Sequence, residues 1–175
     1  MKIRRFIIIA VTMAVSYILQ MIALPRIPHL LSVPNLMLAS VVSFGFLYGK
    51  AVGLATGVVA GLFMDVLGSG TPGFFVLIFS VIGFLNGFLS EKMESEIVLV
   101  LFFIMTANEL LYHLYIFVFS FIIGRSFSLV SYLTEGVLPE LFMTLIAFLL
   151  IYGILLFFSK RWELKVNKGD VRIVK

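Results

Sequence analysis

The chain has no cysteine. That excludes a disulfide framework and any thiolate metal site. Charge is scarce as well: Asp, Glu, Lys and Arg make up 13% of the 175 residues, about half the share of a soluble domain. Histidine occurs only at His29 and His113, and tryptophan only at Trp162. There is no nucleophile elbow, no Walker loop and no HExxH pair, and Gly68-Ser69-Gly70 lacks the lysine and the following helix of a phosphate cradle. Nothing in the sequence asks for a cofactor, and no enzymatic chemistry is expected.

What is present is apolar. Hydrophobic residues reach 62%, the mean hydropathy is +1.17, and phenylalanine alone occurs 19 times. Such a chain is an integral membrane protein. Its length implies one domain, residues 1–160, followed by a basic cytoplasmic tail, 161–175. The expected fold is all-α, a bundle of six transmembrane helices. The first run, 6–24, follows Lys2, Arg4 and Arg5. It is too long for a signal-peptide core and ends at Pro25-Arg26-Ile27-Pro28 rather than at a small-residue cleavage site; Ser16 and Gln20 fall on its bundle side. Pro34 opens a second helix, 34–48. That one is short for a full span of about 20 residues, so it either tilts or is covered by protein. Gly49-Lys50 turns into a third helix, 50–67. Gly68 to Gly73 reverses the chain, and further helices cover 73–90, 97–123 and 132–159, the last kinked at Pro139.

Lys2, Arg4, Arg5, Lys50, Lys92 and the six basic residues from Lys160 onward fall on one side of such a bundle, against Arg26 and Arg125 on the other. Basic loops stay in the cytoplasm, so both termini are expected there.

Two constellations stand out. Gly49, Gly53, Gly57 and Gly61 recur every fourth residue, and Asp65 continues the register. Residues four apart share a helix face, and small residues on one face let membrane helices approach closely. The glycines therefore read as a helix-packing groove. Asp65 is either a structural polar tie or a site for a partner or ligand, because a carboxylate in a bilayer must be paired or wet. The second constellation is an intramembrane polar cluster on the fifth helix: Asn108, Glu109, Tyr112 and His113, with Glu109 and His113 one turn apart. It either locks helices together or binds a ligand or partner; Glu140, just after Pro139, is a further candidate member. A metal is not expected, since three or four ligands are required and His29 lies in a loop.

The order of these features resembles the rod shape-determining protein MreD family. The resemblance rests on Pro34-Asn35 opening the second helix, the run GKAVGLATGVVAGLFMDVLGSGTPG from Gly49 to Gly73, and a glycine-bearing fourth helix. Helices five and six match in character only, and Asn35 stands where members often carry Asp. The resemblance implies a non-catalytic subunit of the bacterial inner membrane, serving the cell-elongation machinery. It would bind an MreC-like protein and, through it, MreB, RodA and a penicillin-binding transpeptidase, and so help control peptidoglycan synthesis. Pro34, Asn35, Asp65, Gly70 and Gly73 then read as candidate contacts for a partner or ligand. That family is similar in fold to the six-helix S subunits of energy-coupling factor transporters. This supplies a second expectation, a small-molecule-binding transport subunit, for which the external loops offer few polar groups.

Overall fold

The computed structural model describes residues 2–69, 72–92, 98–122 and 128–161. Six helices account for nearly all of them. Helix α1 is Lys2–Ile18, prolonged by a π turn, Leu19–Ala23, and a 3-10 turn, Leu24–Arg26. Helix α2 is Leu36–Tyr48, and α3 is Lys50–Met64 with a π turn, Asp65–Ser69, at its end. Helix α4 is Phe74–Lys92 and α5 is Val98–Ile122. A short turn, Leu129–Ser131, and a π turn, Tyr132–Val137, lead into α6, Leu138–Arg161. Trp162 and the basic tail lie outside the described residues, as do Gly70 and Arg125.

The protein is all-α, and five runs are long and apolar enough to cross a membrane: Phe6–Arg26, Lys50–Gly68, Phe74–Lys92, Leu99–Ile122 and Tyr132–Phe157. Helix α2 is different. Its 13 residues rise only about 20 Å, short of a hydrocarbon core of about 30 Å. All of them except Leu47 are buried, and α2 touches each of the other five helices. The apolar surface that would otherwise face lipid is covered by protein.

A helix that starts inside the bundle must satisfy its first N–H groups there. Asn35 caps α2 with its own side chain, Oδ1 accepting from Leu38 N at 3.1 Å. Gln20 of the α1 π turn accepts from Met37 N at 3.0 Å, and the Asn35 N–H donates to Thr144 Oγ1 of α6 at 2.9 Å. The Leu36 N–H donates to the Pro34 carbonyl.

The π turns explain how the prolines are carried. Leu24 N bonds to Leu19 O, five residues back, just ahead of Pro25. Leu138 N bonds to Leu133 O, again five back, just ahead of Pro139. Proline lacks an N–H and clashes with the carbonyl four residues earlier; widening the turn before it removes the clash. The sequence predicts one kinked helix over 132–159. The structure has one helical run over Tyr132–Phe157, with a π turn before Pro139 and a regular α-helix after it.

The tightest contact joins α3 to α4. A Cβ built on Gly53 would lie 2.1 Å from the Gly83 carbonyl oxygen, one on Gly57 2.2 Å from that of Phe79, and one on Gly61 2.2 Å from Val76 Cα. Backbone meets backbone here, and no side chain fits between. Gly49 belongs to the turn between α2 and α3, where φ of +86° favours glycine. At the same end Lys50 Nζ pairs with Glu91 Oε2 at 3.1 Å.

Candidate functional site

The buried start of α2 is also where the polar side chains of α5 and α6 converge. Asn35, Glu109 and Thr144 are almost fully buried, and His113 nearly so. A chain of contacts runs from the Asn35 N–H to Thr144 Oγ1, and from the Thr144 hydroxyl to Glu109 Oε1 at 3.4 Å. One turn further along α5, His113 Nε2 stands 3.5 Å from Glu109 Oε1 and 3.7 Å from Glu140 Oε2 of α6. The other ring nitrogen, Nδ1, is 3.2 Å from the Tyr132 hydroxyl, which also donates to the His113 carbonyl at 3.4 Å. Tyr112 closes the α4 side, its ring stacked on Phe79 at 5.7 Å and 7°.

The site has unused capacity. Glu109 Oε2 and His113 Nε2 are buried without a hydrogen-bond partner, and Asn35 Nδ2, buried as well, has only a poorly aligned interaction with the Tyr112 hydroxyl. Buried polar groups are paired in the great majority of cases, so these atoms single out this cluster as the candidate site.

The remaining sequence candidates are elsewhere. Asn108 faces α4, not the site. Its amide and that of Asn86 exchange two hydrogen bonds, 2.8 and 3.0 Å, while each remaining N–H goes to a carbonyl four residues back. Asp65 is 5% exposed and bonds across the chain reversal. Oδ2 accepts from Gly73 N and Val76 N, and Oδ1 from Phe75 N, at 2.8–3.2 Å. Its carboxylate caps the start of α4, where the helix dipole favours a negative charge. Pro34 precedes the α2 cap, and Gly73, with φ of +85°, forms the turn that Asp65 holds.

Sequence reading of the external loops missed the polar lining of this end, because the groups come from inside the bundle. Gln20 was legible as bundle-facing and Glu140 as a possible neighbour; Thr144 and Tyr132 gave no signal, being single hydroxyls in apolar runs. A separate cavity of about 550 Å³ lies between α1 and α6, lined by Ile7, Val11, Val15, Leu150 and Ile154, with Thr12 and Ser16 its only polar residues. Ser16 Oγ is already 2.8 Å from Ser40 Oγ.

Residues 1–163 match a family model described as ECF-type riboflavin transporter, S component. No curated protein matches the chain, and no solved structure does. The match overturns the resemblance to the MreD family. With it go the rod-shape and cell-elongation role and the partners that role implied: an MreC-like protein, MreB, RodA and a penicillin-binding transpeptidase. The reason is physical. Pro34-Asn35, the glycine run and Asp65 all serve helix starts and helix contacts, so they report how the helices pack rather than what the protein does. Over 163 of its 175 residues, this multi-pass membrane protein belongs to the family of ECF-type riboflavin transporter S components.

Proposed function

We propose that the chain is the substrate-capturing subunit of an energy-coupling factor transporter, and that its substrate is riboflavin or a close flavin. The family match carries this reading. The seat we assign is the polar end around Asn35, Glu109, His113 and Glu140. A flavin ring presents an imide N–H and two carbonyls, and its side chain is a row of hydroxyls. Such a ligand needs donors and acceptors, and the Asn35 amide and the Glu109 carboxylate offer one of each. The α1–α6 cavity cannot do so, since its lining is almost wholly apolar.

The topology that goes with this reading has six passes, α2 included, with both termini cytoplasmic and the start of α2 toward the outside. The energising module would then dock within the membrane on a surface other than the glycine groove, because α4 already fills that groove.

Purified protein titrated with riboflavin should quench flavin fluorescence and melt at a higher temperature. Asn35→Ala should weaken the binding by about tenfold, the value of one good hydrogen bond to a buried ligand. If saturating riboflavin changes neither signal, the flavin assignment is wrong. If another water-soluble vitamin stabilises the protein instead, the transport reading stands with a different substrate.

A further inference from the structure

We infer that Glu109, His113 and Glu140 form a binding site for one divalent metal cation of the kind that takes mixed nitrogen and oxygen ligands, Zn²⁺ foremost. The three ligand atoms lie within 4.8 Å of one another. They come from two helices, α5 and α6, so the site forms only when the bundle is assembled. Its three residues also belong to the seat assigned above to the flavin, but the metal site is argued from their geometry alone and does not depend on that assignment.

The argument begins with the hydrogen on the imidazole. The Tyr132 hydroxyl lies 3.4 Å from the His113 carbonyl, to which it can donate, and 3.2 Å from Nδ1, from which its oxygen can then accept. In that tautomer of the neutral ring the proton sits on Nδ1, and Nε2 carries a lone pair. That lone pair faces two carboxylates. Three acceptors thus converge, and among the described residues no lysine or arginine pairs with either glutamate. Something positive must lie between them, either a proton or a metal ion.

Distance favours the metal. A proton shared between imidazole and carboxylate would draw them to about 2.7–2.9 Å. The observed separations are 3.5 and 3.7 Å, and Nε2 makes no hydrogen bond. Ligands bound tetrahedrally at about 2.0–2.1 Å from Zn²⁺ stand about 3.4 Å apart. Two edges of the triangle are therefore close to the metal spacing already. The environment agrees. The second nitrogen of a metal-bound histidine is almost always held by a partner that fixes the ring, the role Tyr132 fills. Glu109 is likewise oriented by Thr144. One carboxylate is fully buried while Glu140 is about a quarter exposed, which leaves an open side for a fourth ligand.

The test uses the full-length chain in detergent, stripped of metal with a chelator and free of any histidine tag. Titration with Zn²⁺ alone, without flavin, should show one equivalent bound per chain and a raised melting temperature. Glu140→Gln and His113→Gln should each lower the affinity at least tenfold. Tyr132→Phe, which keeps all three ligands, should lower it by about tenfold, as loss of an outer-shell partner does. His29→Gln should bind as the unmodified chain does. Glu140→Gln guards against misfolding, since this residue is partly exposed and its variant should melt like the metal-free parent. No saturable Zn²⁺ binding would overturn the site, as would binding that survives both ligand substitutions or vanishes in His29→Gln. Flavin binding measured on the same samples reports separately on the substrate reading.

Discussion

At the scale of single residues, this protein spends its few polar groups on helix starts. Asp65 is the clearest case. Its position in the glycine register is legible in the sequence, but its partners are not, because the Gly73, Phe75 and Val76 amides lie across a chain reversal whose path no periodicity reveals. Those bonds are charge-assisted, and losing such a bond costs about 1.5–3 kcal/mol. Asp65→Ala should therefore destabilise the α3–α4 hairpin by about 2–4 kcal/mol, seen as a clear fall in melting temperature in detergent. Asp65→Asn keeps two acceptor lone pairs and should recover part of the loss. An unchanged melting temperature for Asp65→Ala would mean that the cap contributes nothing. The Asn86–Asn108 pair makes the same point. Each residue could be marked as polar within a membrane helix, yet only the structure shows their amides facing one another and leaving no donor unused.

Helix by helix, the sequence carries more. The glycine period every fourth residue names the face of α3 that meets a neighbour, because side-chain volume decides how near two backbones come. It does not name the neighbours, which prove to be α4 at Gly53, Gly57 and Gly61, with Gly45 of α2 also against Gly53. The distances make a paired prediction. Gly57→Ala puts a Cβ 2.2 Å from the Phe79 carbonyl oxygen, where only backbone could yield. Gly153→Ala in α6 meets nothing within 4 Å. The first variant should lose several degrees of melting temperature or fail to assemble. The second should be neutral or gain up to about 1 kcal/mol from helix propensity. Equal behaviour of the two would refute close packing as the reason for the ladder. The π turns were not legible. A proline says only that a regular helix cannot pass through it, and whether the chain breaks, kinks or widens is settled by what the displaced residues can reach. In α1 the widened turn aims Gln20 at the start of α2. Glu140 and His113 stand far apart in sequence, so their meeting also required the packed helices.

For the molecule as a whole, the sequence was informative about class and misleading about family. A basic start, six apolar runs and glycine-bearing helices describe many small bundles, and physics alone imposes them. The number of passes can be argued further, because α2 is too short to be assigned by length. If α2 crosses, the eleven basic residues noted above fall on one side and two on the other. If it does not, α3 and every later helix invert, and Lys50, Lys92 and the six basic residues of the tail move outside, against the rule that basic loops stay in the cytoplasm. The two cases differ in a way that labelling reads directly, and the absence of cysteine provides a silent background. Leu31 lies exposed in the loop between α1 and α2, and Glu91 exposed at the far end of α4. With six passes, a membrane-impermeant maleimide added to intact cells should modify Leu31→Cys at once and Glu91→Cys only after permeabilisation. With five, both would be modified from outside. Equal labelling of the two would therefore remove α2 from the count of passes and turn the polar site at its start away from the face where a transported substrate arrives.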